Sequence, residues 1–397
     1  MNVVVLSLGA HWVSAARLPK ALHAAGFQVF ACCPEESIAA ASRHVRAAAR
    51  FTWPASVATV WLGLRQIHAR WPIDVVLPGD EASVRLLHAV ARHDESGRDA
   101  VDRAIMARVR ASLGDPDRFL DLERKSALAA LGPGDGLAFP PQAAVREQDD
   151  LVAVVERIGY PAVVKKDHAA GGLGVAVVRN PAELARLIAT SAWFIRNGPH
   201  RAVLAPGARL LVQRFVEGWE ASVSFAAVGG HLAASFAYRT LCRCSPTGPT
   251  SVAELIQRDD LTRLATAIVR RFGFTGLGGV DVMIDGRDGT AVILEFNARP
   301  TITTHLGAVF GSDLCRALRA ALAGEAAPAP EPPRHRIVAL FPGEWQRDAT
   351  SPYLETAHHD VPWDEPDLMA ALVAMARTME RPGRGAQAAV GVNAVVG

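Results

Sequence analysis

The chain has 397 residues, 50% of them hydrophobic, enough apolar mass for about two to three domains with cores of their own. Its 42 basic and 40 acidic side chains leave a formal charge of +2 with both signs interspersed, which implies neither a nucleic-acid-binding surface nor an acidic tail. Five cysteines, Cys32, Cys33, Cys242, Cys244 and Cys315, form an odd set without C-x-x-C pairs, which excludes a zinc ribbon and fits buried thiols in a reducing compartment.

The first residues run straight into an apolar strand, with no basic leader, and no apolar stretch has the length of a membrane span. A cytoplasmic protein without membrane contact is the expectation. Residues 2–8 (NVVVLSL) are a β-branched run closed by Gly9, and a helical pattern follows through Ala25 to a turn at Gly26. Phe27–Cys32 (FQVFAC) and Pro72–Leu77 (PIDVVL) read as further strands, the second ended by Pro78-Gly79-Asp80 ahead of a helix over 82–91. Alternating strands and helices predict an open parallel α/β sheet over 1–110, a Rossmann-like domain. No G-x-G-x-x-G follows the first strand, so a dinucleotide is not implied. Asp80 and Glu81 stand just past a strand's carboxyl end, where such sheets meet ligands. A helix cap with a first-turn acid explains them equally well.

A polar run over 115–124 leads into a helix from about Lys125 to Leu131, closed by Gly132-Pro133-Gly134. Tyr160–Lys166 (YPAVVKK) is a strand ending in two lysines, which alternation puts on opposite faces. The turn DHAAGGLG follows, then a strand VAVV; backbone N–H groups of such a glycine turn can close over polyphosphate where side chains would clash. His168 reads as a loop residue. Arg209–Val216 (RLLVQRFV) is an apolar strand entering Glu217-Gly218-Trp219-Glu220. Segments 222–227 and 232–238 form a hairpin through Gly229-Gly230, the basic stretch 239–250 reads as irregular, and 253–272 as an amphipathic helix.

The stretch Gly278–Pro300 (GGVDVMIDGRDGTAVILEFNARP) carries the chemistry. Two alternating runs around a Gly/Asp-rich turn predict a hairpin. Val280, Val282 and Ile284 fall on one face, with Asp281 and Met283 on the other. Strict alternation on the second strand sets Val292, Leu294 and Phe296 against Ile293, Glu295 and Asn297. A three-residue loop, Arg287–Gly289 with Gly289 left-handed, would place Asp281 across from Glu295. Like charges so placed repel unless a cation sits between them. Two carboxylates and an amide suit Mg²⁺, which also takes phosphate oxygens.

An acid on one strand, Glu-x-Asn and a nearby Arg on the next, and YPxxxK with G-G-x-G upstream together resemble the ATP-grasp superfamily. The resemblance implies an α/β and α+β architecture: the Rossmann-like domain at 1–110, then a two-lobed ATP-grasp domain. Its first lobe would span 111–205 with the phosphate-covering glycine loop, its second 206–325 with the adenine hinge and the metal site. A Pro/Ala/Glu linker at 326–333 would set off an extension over 334–397, with one strand, a helix near 366–379, His358 and His359 in loops, and a patternless end.

The resemblance further implies ATP and Mg²⁺, with Mn²⁺ as an alternative, the metal held by Asp281, Glu295 and Asn297. Lys125, Lys165, Gly171, Gly172 and Gly174 would meet the phosphates; Gln213, Arg214 and Val216 the adenine; Glu220 the ribose. Arg239 or Arg243 would steady the transferring phosphoryl group, and Arg299 an anionic substrate or intermediate. On spacing alone Lys125 reads as a solvated lysine. The implied reaction activates a carboxylate as an acyl phosphate, with release of ADP, for attack by an amine; a homodimer and small-molecule carboxylate and amine partners are expected. Biotin carboxylases carry a Glu four residues beyond the Arg, where Thr303 stands here; D-alanine–D-alanine ligases carry an Arg two residues before the first acid, where Gly279 stands. Those departures favour a general amino-acid or peptide-forming ligase, with a ligase of nucleotide biosynthesis and a non-turning-over ATP sensor as alternatives. The loop 301–311 is expected to close the site from the acceptor side.

Overall fold

The computed structural model describes residues 1–52, 54–92, 98–115, 117–118, 125–129, 137–145, 151–167, 174–191, 193–196, 202–204 and 209–379. Gly171, Gly172, His168, most of the polar run at 115–124 and the patternless end lie outside the described residues.

A first, parallel sheet has the strand order β3-β2-β1-β4. Its strands are β1 (Asn2–Leu6), β2 (Gln28–Pro34), β3 (Val45–Phe51) and β4 (Val75–Pro78). Helices α1 (Val13–Ala24), α2 (Val57–Arg70), α3 (Glu81–Arg92) and α4 (Ala100–Leu113) cover it. The unbroken apolar run of β1 follows from burial on both faces: Val3 and Val5 enter one core, Val4 and Leu6 the other. The Ala/Arg-rich strand β3 has little apolar alternation and is not legible in the sequence.

A second sheet, ordered β5-β10-β6-β7, lies around the two lysines. After α5 (Lys125–Ala129), it is built from β5 (Gln142–Val145), β6 (Ala162–Lys166), β7 (Val175–Val178) and β10 (Leu210–Arg214), with α6 (Leu151–Ile158) and α7 (Pro181–Thr190) on one face. Strands β8 (Phe194–Arg196) and β9 (Ala202–Leu204) pair with each other.

The third and largest sheet has seven strands, β15-β14-β11-β12-β13-β16-β17. They are β11 (Gly218–Val228), β12 (His231–Arg243), β13 (Thr250–Ile256), β14 (Gly276–Asp285), β15 (Ala291–Asn297), β16 (Ile337–Ala339) and β17 (His358–His359). Helix α8 (Asp259–Phe272) buries Leu261, Leu264, Ala265, Ile268, Val269 and Phe272, the three-and-four spacing of one helical face, and ends on left-handed Gly273. Three sequence expectations are corrected here. The helix predicted over 253–272 starts only at Asp259, because Thr250–Ile256 alternates and pairs with β12 and β16. The stretch predicted irregular from 239 continues β12 as far as Arg243. His358 and His359 form a short strand on β16, so the tail completes the sheet instead of hanging from it.

One face of this sheet packs on α8 through Val223, Phe225, Val280, Val282 and Phe296. The other face is divided. Phe236, Tyr238, Leu255 and Leu277 share a core with Val3 and Val5 of the first sheet, with Leu18 of α1 and with α9 (Leu314–Leu322), while the end bearing Glu220, Ser222 and Asp281 faces the second sheet. The tail is pinned as well. The short helices α10 (Gly343–Arg347) and α11 (Tyr353–Thr356) are followed by α12 (Pro366–Met379), whose Leu368, Leu372 and Met375 pack with Ala16, Ile38 and Phe341. Buried Asp360 pairs with Arg17 of α1 and with His305 Nε2 at 2.7 Å, tying tail, first domain and the 301–311 loop together. Among the described residues no helix is long and apolar enough to cross a membrane.

Candidate active site

Asp281 and Glu295 are cross-strand partners on β14 and β15, but the device that pairs them differs from the predicted loop. The hairpin loop spans residues 286–289, closed by Asp285 N donating to Thr290 O at 2.9 Å, with Gly289 at φ +76°. Val282 pairs with Ile293, and a bulge between Val282 and Asp281, with Leu294 the extra residue on β15, brings Glu295 opposite Asp281. The bulge resets alternation, so Ile293 joins Phe296 in the core instead of sharing a face with Glu295. Phe296 is locked there by Phe225, Phe272 and Phe274, with ring centroids 5.6–6.1 Å away.

Asp281 is half-buried, and its carboxyl is pushed up by desolvation and by the charge of Glu295. Ser222 Oγ donates to it at 2.6 Å and Asn297 Nδ2 at 2.9 Å. Tyr238, cross-strand from Ser222, is driven to about 12 by burial and by Asp281, so it stays a neutral phenol beside the acid. Ser222 and Tyr238 escaped sequence reasoning because only sheet register brings them beside Asp281.

Two lysines approach from the other lobe. Lys125, at the start of α5, pairs with Glu295 Oε1 at 2.8 Å and is nearly buried, not solvated. Its helix is anchored by Asp167, which accepts from Ser126 N and Oγ, both at 2.8 Å. Lys165 shares a sheet face with Gln213 and Gln142 and donates to Gln213 Oε1 at 2.8 Å; Gln213 Nε2 donates to Gln142 Oε1 at 2.9 Å. Burial lowers Lys165 to about 8 against the opposing pull of Glu295. Lys166 lies on the other face, as alternation requires. Gly174, at φ +77°, accepts from Lys166 N at 2.8 Å where the glycine turn re-enters β7.

The remaining candidates divide. Glu220 lies on the Asp281 face and pairs with Arg243; burial raises its carboxyl while Arg243 pulls it down. Arg239 is cross-strand from Ala221, on the α8 face, and stacks on Trp219 at 5.1 Å. It therefore points away from Asp281, and of the two arginines Arg243 is the one at the acid cluster. The Arg214 side chain also turns away, donating to Ile158 O at 3.3 and 3.4 Å, while its backbone N–H serves Pro141 O. Val216 is half-buried in the β10–β11 connection. Arg299, buried, bonds Asn297 Oδ1 at 3.2 Å and pairs with Glu81 of the first domain. Asp80 is spent as a cap on Ser83 and a clamp on Leu8 and Gly9, whereas Glu81 belongs to the site.

The cluster thus sets Lys125, Lys165, Arg243 and Arg299 against Glu81, Glu220, Asp281 and Glu295, a balanced array. A polyphosphate entering it would gain little from the array's net charge, and a bound divalent cation would supply the difference. The carboxylates of Asp281 and Glu295 with the Asn297 amide are hard oxygen donors and fit Mg²⁺. Among the described residues no group of three or more His, Cys, Asp or Glu is placed to hold a metal ion by itself.

Residues 136–303 match the ATP-grasp domain family. A D-alanine–D-alanine ligase of Nitrosospira multiformis is 29% identical over 184 residues, 43% of this chain and 54% of that protein. The carbamoyl phosphate synthase large chain of Ralstonia nicotianae is 25% identical over 203 residues, 48% of this chain and 18% of that one. The chain spans about half the length of the curated D-alanine–D-alanine ligases it matches. Among solved structures, an L-amino acid ligase from Bacillus licheniformis has a TM-score of 0.55 at 16% identity over 81% of this chain and 74% of that chain. An N5-carboxyaminoimidazole synthetase from Staphylococcus aureus, complexed with ADP, reaches 0.60 at 14% identity, covering 84% and 80%. At that identity the structures attest the fold alone; the family match itself is confined to residues 136–303, the segment that holds Asp281, Glu295 and Lys165.

Proposed function

We propose that the protein is an ATP-dependent, ADP-forming ligase that activates a carboxylate as an acyl phosphate for attack by an amine, with amino acids or peptides as the substrate class. The observation that carries the reading is the convergence of Lys125 and Lys165 from one lobe on the facing acids Asp281 and Glu295 of the other, with Arg299 alongside. The curated ligases similar to this chain, and the L-amino acid ligase fold, support it. Asp281, Glu295 and Asn297 would hold Mg²⁺, which when bound neutralises and orients the phosphates.

The chain's own residues account for the rest. Lys165 and Lys125 bind phosphate oxygens, and Glu220, with Gln213 and Val216 near the hinge, faces the nucleoside. Arg243 stands where charge builds on the transferring group. Arg299 orients the carboxylate beside the metal acids. A carboxylate oxygen attacks the γ-phosphorus and the bridging P–O bond breaks, its electron pair leaving on ADP. The amine nitrogen then attacks the acyl carbon, the C–O bond to phosphate breaks, inorganic phosphate leaves with the pair, and the amine's proton passes to water.

The test is ADP release from Mg²⁺ and ATP with pooled amino acids, with condensed products read by mass spectrometry. Glu295→Ala should lose more than about 100-fold in ADP formation, as expected for removing a metal-binding acid. Tight ATP binding with no release for any carboxylate–amine pair would sink the ligase reading.

A further inference from the structure

The parallel sheet of the first domain reverses its strand order between β1 and β4, and the loops leaving those two strands flank a crevice at their carboxyl ends. Asp80 makes that crevice rigid. Its Oδ2 accepts from Ser7 Oγ at 2.8 Å and from the Leu8 and Gly9 amides at 2.7 Å each, while Oδ1 accepts from Ser83 N and Oγ. Gly79 allows the close approach, since a Cβ there would lie 2.9 Å from Ala15 Cβ and 3.0 Å from Leu6 O. Two side chains are thereby aimed out of the first domain: Trp12 from the β1 loop and Glu81 from the start of α3, just after β4.

Both meet Arg299. Its Nε donates to Glu81 Oε1 at 2.5 Å, Nη2 pairs with the same oxygen, and the guanidinium carbon lies 5.0 Å from the Trp12 ring centroid. The guanidinium also reaches Asn297 Oδ1 and Pro300 O, which ties this pair to the strand that carries Glu295. The Arg299 side chain is 10% exposed and that of Glu81 27%. A charge held this deep is costly if its partner is removed and not replaced.

Resting on the ligase reading, we infer that Glu81 selects the substrate by its ammonium group, so that the carboxylate activated at Arg299 belongs to a zwitterionic α-amino acid. A carboxylate binding Arg299 has to take the place of the Glu81 carboxylate. A plain carboxylic acid would do so and strand Glu81; a plain amine would take Glu81 and strand Arg299. A zwitterion replaces both partners at once, its carboxylate on the guanidinium and its ammonium on Glu81. Because Arg299 and Glu81 are in direct contact, the two substrate charges must also be neighbours, which fits an α-amino acid and not a long ω-amino acid. Trp12 caps the guanidinium face, leaving its edge for the carboxylate.

The experiment uses the full chain with ATP and Mg²⁺, follows ADP, and traps acyl phosphate with hydroxylamine. Each α-amino acid is compared with its deaminated acid. The expected wild-type preference for the amino acid is at least about 100-fold in kcat/KM. In Glu81→Gln the amino acid should lose about that factor while the deaminated acid keeps its rate or gains, and Glu81→Asp should recover part of the preference. Melting curves establish that both variants fold. Preference unchanged in Glu81→Gln, or turnover of deaminated acids alone in the wild type, overturns the assignment while leaving the ligase reading intact. If no acid elicits ADP release, the ligase reading fails; calorimetry of α-amino acids on wild type and Glu81→Gln then decides this inference, with binding lost in the variant supporting it and no difference overturning it.

Discussion

Lys165→Met separates the nucleotide-binding role of that lysine from its cost to the fold. Burial lowers Lys165 from an ordinary 10.5 to about 8, a penalty on the order of 3 kcal/mol for keeping it charged at pH 7. Methionine fills similar space without charge, but strands Gln213 Oε1, which accepts from Nζ at 2.8 Å, at a cost of about 1–3 kcal/mol. The net expectation is a melting temperature unchanged or raised by a few degrees. ATP affinity should fall about 10- to 100-fold, since a charged hydrogen bond to phosphate is worth about 1.5–3 kcal/mol.

The pH dependence carries a sign. Below about 8 the lysine is protonated in both folded and unfolded chains and its full penalty applies. Between about 8 and 10.5 the unfolded chain holds a proton the folded one lacks, so Lys165 makes stability rise with pH across that window. ATP affinity moves the other way, falling as the ammonium is lost. Thermal unfolding and calorimetric ATP titration from pH 6.5 to 9.5 read both trends, and Lys165→Met should flatten each. Wild-type-like ATP affinity in the variant would refute the phosphate role; a marked loss of stability would refute the assigned burial penalty.

Two further outcomes follow from sheet faces and close contacts. Arg243→Met should lower kcat/KM for ATP roughly tenfold or more by leaving Glu220 uncompensated, whereas Arg239→Met, on the α8 face, should leave kinetics unchanged; the opposite ranking would contradict the register of β12. Gly279→Ala should destabilise by about 1–3 kcal/mol and slow turnover, because its Cβ would lie 2.5 Å from Thr301 Cγ2 and 3.1 Å from Val223 O. Unchanged melting would mean the 301–311 loop yields without cost. The same contact explains why an arginine, as in D-alanine–D-alanine ligases, has no room at this position while Thr301 lies against it.

Much of the site was legible because its residues sit beside local signals. Asp281, Glu295 and Asn297 punctuate apolar strands around a glycine turn, so period and turn chemistry singled them out. Lys165 is instead singled out by the resemblance of YPxxxK and G-G-x-G, with alternation only setting Lys166 on the other face. Strict alternation nevertheless misassigned Ile293, because a bulge inserts one residue without changing composition. The second half of strand β13, residues 253–256, reads as helix from the sequence because Ala, Glu and Leu serve either element until neighbours compete for their hydrogen bonds.

What the sequence determined by itself was the open parallel sheet at the start of the chain, the acid-bearing hairpin and the opposite faces of Lys165 and Lys166, since each follows from neighbours within a few residues. Only the tertiary structure decided which of Arg239 and Arg243 meets the acids, that Lys125 pairs with Glu295, and that Glu81 crosses from the first domain to Arg299. Those are contacts between segments far apart in the chain, chosen by the packing of one sheet on another, and periodicity along a single strand carries no information about its partner's register.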